Sequence, residues 1–385
     1  MKTIYVDNNA TTKVAPEVVE AMLPFFNDMW GNPSSMHTFG GQVAKHVERA
    51  REQVAKIIGA QRTSEIIFTS CGTESDNAAI RAALATNPEK KHIVTTTVEH
   101  PAVLNLCQNL EKHECVEVTY LPVDAKGRLD LEKLKSSLRD DTAIVSIMWA
   151  NNETGTVFPI EEIAQITHER GILFHTDAVQ VVGKLPIDLK KTPIDFLSLS
   201  GHKLHASKGV GALYVQRGTK FSPYIIGGHQ ESGRRGGTES VPLIVGLGAA
   251  CELAMNSMEV ERAHLARLRD KLEAGILEKV RRVTVNGDRE NRLPNTTNTS
   301  FESIEGESIL LMLNEYGICA SSGSACTSGS LEPSHVLLAM GILHEKAHGS
   351  IRWSLSRYST EEEVDFILEK LPPVIEHLRK LSPVS

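Results

Sequence analysis

Asp195-Phe196-Leu197-Ser198-Leu199-Ser200-Gly201-His202-Lys203-Leu204-His205-Ala206-Ser207-Lys208-Gly209-Val210-Gly211 is the stretch on which the reading of this chain turns. With Ile194 ahead of it, the apolar run Ile194, Phe196, Leu197, Leu199 predicts a buried strand bounded by Pro193 and Gly201. A polar turn follows and sets Lys203 where strand gives way to loop, just behind His202 and Ser200. A lysine in that place needs its ammonium solvated, paired or neutralised. Taken alone, Lys203 reads most plainly as a surface lysine at a strand end. The sharper reading is a partly neutral amine that attacks a carbonyl to form a Schiff base. The rest of the chain decides between them.

Outward from this stretch, strand-like runs recur at Ile66–Ser70, His92–Thr97, Val116–Pro122, Ala143–Ala150, Ile172–Asp177 and Gly211–Val215. Helical patterns separate most of them, at Ser75–Thr86, Pro101–Glu111, Leu129–Leu138 and Ile160–Arg170. Alternation of this kind predicts an α/β fold, a large domain whose mostly parallel seven-stranded sheet is flanked by helices. Before it, Tyr5–Thr12 reads as a short strand running into a turn, Glu17–Phe26 as a helix opened by Pro16, and Gln42–Gly59 as a longer helix. After it, Gly227–Gly237 is a loop and Pro242 opens a helix reaching about Val280. Composition shifts from apolar to charged near Asn256–Glu261. Beyond it, Arg282–Val285, Asn298–Phe301, Ile318–Ser321, Ile351–Leu355 and a helix at Glu361–Lys380 predict a smaller C-terminal α+β domain. The expected division is an N-terminal arm (1–14) joining the small domain, a large domain (15–257) and a small domain (258–385).

Composition narrows the function. Hydrophobic content of 41% and charged content of 23% are ordinary for a globular protein, and the net charge of −7 with no basic stripe argues against nucleic acid. Acid follows the start too soon for a signal peptide, and Val241–Met255 is too short for a bilayer span, so no membrane role is expected. The six cysteines form no C-x-x-C pair, which predicts reduced thiols and a cytoplasmic setting.

Ligands of such sheets bind beyond the carboxyl ends of the strands. There the chain places Gly72-Thr73 at a helix start, His100 before Pro101, Asn151-Asn152, Asp177 with Gln180, and Ser200-x-His202-Lys203. Singly, each has a structural explanation: an N-cap, a satisfied histidine, a salt bridge. Together they match the needs of pyridoxal phosphate: a Schiff-base lysine, a carboxylate for the pyridinium, a face to stack on and a phosphate cup. Asp177 would hold the ring nitrogen, Gln180 would lie near the ring oxygen, and His100 would stack. Gly72, Thr73, Ser200 and His202 would hold the phosphate.

The motifs D-N-N-A-T-T at Asp7, G-N-P-S-S at Gly31, V-E-H-P at Val98, N-N-E-T-G at Asn151, H-T-D-A-V-Q at His175, S-x-H-K at Ser200 and S-S-G-S-A-C-T-S-G at Ser321 run through essentially the whole chain. In them the chain resembles the cysteine desulfurases of the NifS/IscS group, class V aminotransferases of the fold-type I pyridoxal-phosphate enzymes. The stretch A-H-G-S-I-R-W-S-L-S-R-Y is closest to the nitrogen-fixation NifS branch. The resemblance implies Lys203 as the Schiff-base lysine and a homodimer in which Thr238 reaches the neighbouring subunit's phosphate. It also implies an iron–sulfur scaffold protein (NifU/IscU-like) as sulfur acceptor.

Cys326 stands among small residues, the setting of a loop rather than a core. An ordinary thiol with a pKa of about 8.5 needs local help to react as thiolate. The expected chemistry takes L-cysteine to L-alanine with a persulfide on Cys326, Lys203 moving the Cα proton and His100 serving the substrate thiol. Arg352 is the candidate for the substrate carboxylate with Asn152 assisting, and Arg357 is the structural alternative. Cys326 is also a candidate ligand for a transient iron–sulfur cluster. A housekeeping desulfurase, a selenocysteine lyase, a plain class V aminotransferase and a non-catalytic sulfur carrier remain the alternatives.

Overall fold

Along each strand of the main sheet, successive apolar residues enter different cores. Ile66 and Phe68 face one core while Ile67 faces another, and the pairs Val94/Ile93, Val145/Ile144 and Leu197/Phe196 divide the same way. A strand buried on both faces reads as a continuous apolar run, which is why the period of two was hidden in the sequence. The computed structural model describes residues 3–322 and 332–382.

The strands are β1 (Ile4–Tyr5), β2 (Ile66–Thr69), β3 (His92–Thr96), β4 (Glu117–Leu121), β5 (Thr142–Ser146), β6 (Leu173–Asp177), β7 (Phe196–Ser200) and β8 (Gly211–Val215), followed by β9 (Val283–Asn286), β10 (Thr296–Phe301), β11 (Ile318–Cys319) and β12 (Ser350–Ser354). The helices are α1 (Pro16–Met22), α2 (Pro24–Asn27), α3 (Thr38–Ile57), α4 (Gly72–Thr86), α5 (Pro101–Glu114) and α6 (Leu131–Ser137), then α7 (Ile160–Glu169), α8 (Val241–Lys279), α9 (Gly306–Asn314), α10 (His335–Ala339), α11 (His344–His348) and α12 (Glu361–Leu381). The seven-stranded sheet has the spatial order β2-β8-β7-β6-β5-β3-β4. β3 to β7 pair in parallel, and β8 is antiparallel to both its neighbours. One face carries α4 and α5. The other carries α1, α3, α6, α7 and the first half of α8. A three-stranded antiparallel sheet, β12-β10-β9, and the short parallel pair β1-β11 share a third core with α9, α12 and the second half of α8.

Some boundaries differ from the sequence expectation. The helix expected over Glu17–Phe26 is two helices, because Pro24 cannot donate its missing N–H and starts a new turn at Leu23. α4 begins three residues earlier than Ser75, at Gly72, and β5 ends at Ser146 rather than Ala150. The compositional shift near Asn256 breaks no element. α8 runs straight through it, with Ala254 in the first core and Leu265 in the third. α8 is the one helix among the described residues long and apolar enough to cross a membrane, but most of its apolar residues lie in or against these two protein cores.

Candidate active site

Because β2 to β7 point one way, their carboxyl ends meet at one edge, and a cleft of about 350 Å³ opens there. Gly72, Thr73, His100, Asn152, Asp177, Gln180, Ser200, His202, Lys203 and Arg352 all line it. Lys203 ends a single 3-10 turn, Gly201–Lys203, that follows β7 directly. A Cβ on Gly201 would lie 2.9 Å from Val210 Cγ1, so glycine is what lets this turn pack tightly against the next strand's approach. Thr238 lies outside the cleft, in a neighbouring cavity with Ser70, Arg235 and Ser240. Cys326 lies outside the described residues. Arg357 faces away and pairs with Glu261 at 2.6 Å, which makes it structural.

The N-terminal arm closes one side of the cleft, which sequence reasoning did not foresee. Lys203 Nζ donates to the carbonyls of Asn9 (2.7 Å) and Ala10 (2.6 Å). Gln180 Nε2 donates to the same Asn9 carbonyl at 3.0 Å. The Asn9 side chain is itself fixed, donating to Thr296 Oγ1 and the Asn152 carbonyl and accepting from Asn295 Nδ2. Asp7 takes the Arg352 guanidinium at 2.6 Å, while Arg352 Nη1 reaches the Asn152 carbonyl at 3.4 Å and Nε is buried without a partner. The polar turn D-N-N-A-T-T was the available signal. No spacing rule, however, links residue 7 to residue 352.

The cleft floor concentrates buried acid. Asp177 Oδ1 accepts from Val179 N–H at 2.9 Å, and burial together with Asp76 raises its pKa to about 7. Asp76, also enclosed, is raised to about 7 by burial, and its Oδ1 has no hydrogen-bond partner. His175 stands 3.5 Å from that oxygen. Burial lowers His175 to about 4, so it is neutral and bonded between the hydroxyls of Ser146 (2.8 Å) and Ser198 (2.9 Å). The approach of His175 to Asp76 is therefore no ion pair at neutral pH. Glu99, beneath the cleft, is raised to about 8 by burial.

His100 caps α5, accepting from Ala102 N–H through Nδ1 at 3.1 Å. That bond leaves the ring proton on Nε2 in the neutral tautomer. Burial, with Lys203 and His335 adding, lowers its pKa to about 4. His202 is lowered likewise, and its Nδ1 meets Thr11 Oγ1 at 3.1 Å. No side chain caps α4 at Cys71, so the N–H groups of its first turn remain for an anion at the cleft. A Cβ on Gly72 would meet Val179 Cγ2 at 2.8 Å, which keeps this turn close to the Asp177 loop. The arrangement can therefore hold an anion at one end and a cationic ring nitrogen at the other, with an amine between. Among the described residues no group of three or more His, Cys, Asp or Glu side chains could hold a metal ion.

The family profile described as Aminotransferase class-V matches residues 4–367. The chain belongs to the class V aminotransferase family. Within this family the chain is 63% identical to the cysteine desulfurase of Trichormus azollae, over 383 residues that cover 100% of this chain and 95% of that one. It is 61% identical to the cysteine desulfurase NifS of Azotobacter vinelandii, with the same coverage. A solved structure described as a NifS-like protein superposes with a TM-score of 0.92 at 41% identity, covering 98% of this chain and 100% of that one. The fold is that of this family, with its mostly parallel large sheet.

Proposed function

We infer that this chain is a cysteine desulfurase. It removes sulfur from L-cysteine, releases L-alanine and leaves a persulfide on Cys326. The sulfur supplies iron–sulfur cluster assembly, with nitrogenase maturation favoured by the likeness to NifS. The observation that carries the reading is the convergence of Lys203, Asp177 and the uncapped start of α4 on one cleft.

The residues present fit pyridoxal phosphate. Uncapped N–H groups at Gly72 and Thr73, with Ser200 and His202, suit a phosphate. Asp177, costly to ionise in its buried place, is matched by a protonated ring nitrogen. When bound, the group supplies an electron-withdrawing ring that stabilises negative charge at the Cα of an attached amino acid. Lys203 Nζ would hold the cofactor and, when free of it, would carry the Cα proton. Asp177 would hold the proton of the ring nitrogen. His100 would cover the ring face and offer Nε2–H toward the substrate thiol. Gln180 would offer its NH₂ toward the ring oxygen. Arg352, steadied by Asp7 and the Asn152 carbonyl, takes the substrate carboxylate. The Cys326 thiolate then attacks the substrate sulfur. An S–S bond forms and the Cβ–S bond breaks. The electron pair stays with the carbon fragment, which takes up a proton at Cβ and leaves as alanine.

We assign residues 15–257 to the cofactor-binding unit, 258–385 to the unit that carries Cys326, and 1–14 to an arm joining the second. The assembly is a homodimer with Thr238 directed to the partner's phosphate, the acceptor is an iron–sulfur scaffold protein, and the setting is the cytoplasm. The test is Cys326→Ala. The protein should keep its visible absorbance with pyridoxal phosphate and lose both alanine and sulfide production from L-cysteine. Undiminished turnover in that variant would transfer the chain to the aminotransferase chemistry of its family.

A further inference from the structure

Lys184 is a half-buried lysine that the mechanism above does not use. It follows Gly183, whose φ of 81° turns the chain after β6, and stands four residues beyond Gln180. Part of the residue remains accessible, but its amine is enclosed. Nζ donates to Gln180 Oε1 at 3.0 Å and to the Gln180 carbonyl at 3.1 Å, and Lys184 makes no ion pair among the described residues. The charged and titratable groups that face it are Lys203, Arg352, His205, Arg357, Glu261 and Arg262. Glu261 is the one acid of that set, and it is already paired with Arg357 at 2.6 Å. Burial, with Lys203 and Arg352 adding, lowers the Lys184 pKa to about 7. An ammonium kept where no carboxylate compensates it calls for a reason.

The reason lies in the orientation of an amide. A carboxamide can sit in either of two flips, and its neighbours choose between them. Lys184 Nζ directs its N–H groups at Gln180, so the Gln180 oxygen faces it. The Asn9 carbonyl has acceptors only, so the Gln180 nitrogen must face the arm, which it does at 3.0 Å. Both contacts select the same flip. One N–H of Gln180 goes to Asn9, and the second is left to point into the cleft that Gln180 lines.

We propose that Lys184 is a positioning residue that locks the Gln180 carboxamide with its NH₂ toward the cofactor's phenolic oxygen, and so sets the acidity of the bound chromophore. The inference rests on the pyridoxal-phosphate reading above. A donor at that oxygen stabilises the negative charge that remains when the chromophore loses its proton. Removing the donor raises the chromophore pKa.

The test is a pH titration of the visible band, together with cofactor affinity by equilibrium dialysis, in the holoenzyme. Lys184→Met removes the donor that holds Gln180 Oε1 and leaves the Asn9 carbonyl alone to select the flip. The chromophore pKa should rise by roughly half to one unit and cofactor affinity should fall several-fold. Lys184→Gln restores an N–H to Gln180 Oε1 and should recover both values. In a Gln180→Leu background, Lys184→Met should be silent. If Lys184→Met does not fold, Lys184→Ala serves, since it too removes the donor to Gln180 Oε1 and adds no charge at the cleft. It should give the same rise. A wild-type protein that takes up no cofactor would sink the cofactor reading itself. A yellow wild type whose titration and affinity are unchanged in Lys184→Met, or in Lys184→Ala, overturns only the role given to Lys184.

Discussion

The Arg352 guanidinium and the Asp7 carboxylate meet at 2.6 Å across 345 residues of chain, on the wall of the cleft. Asp7 occupies one nitrogen of the fork, and the buried Nε is left over. A substrate carboxylate would find the arginine already aimed. Lysine at this position would keep the charge but not the planar fork, and it could not serve Asp7 and the substrate together. Arg352→Lys is therefore expected to raise the KM for L-cysteine by about tenfold or more, with cofactor content unchanged. Steady-state kinetics on cofactor-saturated protein reads this out, and an unchanged KM would remove Arg352 from the substrate site.

Gly72 packs its Cα where a methyl group would press on Val179. Gly72→Ala must shift the first turn of α4 or the loop after Asp177 by several tenths of an ångström. The protein should fold, because the rest of α4 is a well-buried helix. Its cofactor should dissociate roughly ten times more readily, as one or two anion-binding hydrogen bonds lengthen. Dialysis against cofactor-free buffer, followed by absorbance, measures the loss.

His100 ought to be silent in the pH profile. With its pKa lowered to about 4 it is neutral through the physiological range. A kcat/KM profile between pH 6 and 8 should therefore show no imidazole limb that His100→Ala abolishes. The same variant removes the cap of α5 and the ring proposed to cover the cofactor, so kcat should fall by about 10²-fold and stability by about 1 kcal/mol. A limb near pH 6.5 that vanishes in the variant would contradict the lowering of the His100 pKa by burial.

Glu99 gives a prediction for stability. Burial raises its pKa to about 8, with Asp177 and Asp76 adding, against the hydrogen bonds from Thr96 Oγ1 and Met148 N–H. The folded state thus binds a proton over the window from about 4.5 to 8 that the unfolded chain has already released. Stability from this group is complete below that window and declines as pH rises through it. Glu99→Gln lacks the decline. In cofactor-free protein the variant should gain ground on the wild type between pH 5 and pH 8 in paired denaturation curves. A pH-independent difference would mean that Glu99 is ionised throughout.

Much of this was legible beforehand, and the reasons are physical. The run from Phe196 to Ser200 is apolar enough, and Gly201 abrupt enough, that β7 and the turn bearing Lys203 follow from sequence order alone. The same holds for Asp177, the last residue of β6, whereas Asn152 stands six residues beyond the end of β5. Contacts between distant segments were not legible. Nothing near Asp76 in sequence announces that it will lie beside Asp177 and His175, because that proximity is created by α4 crossing the sheet. The antiparallel sense of β8 was equally hidden, since a strand buried on both faces reads alike in either direction. Nothing in the sequence marks Lys184, whose amine meets Gln180 Oε1 while Gln180 Nε2 meets the arm at the Asn9 carbonyl.

A single α-helix of 39 residues, about 58 Å long, threads one lobe and emerges as a beam in the other. Severing the gene at the seam between Ala254 and Leu265 would cut this beam in mid-turn, stranding carbonyls on one fragment and amides on the other. The halves are welded, and neither is a module that could be borrowed alone. Amide exchange along residues 254–265 should accordingly be as slow as in either core, reporting one cooperative body where composition suggested a joint.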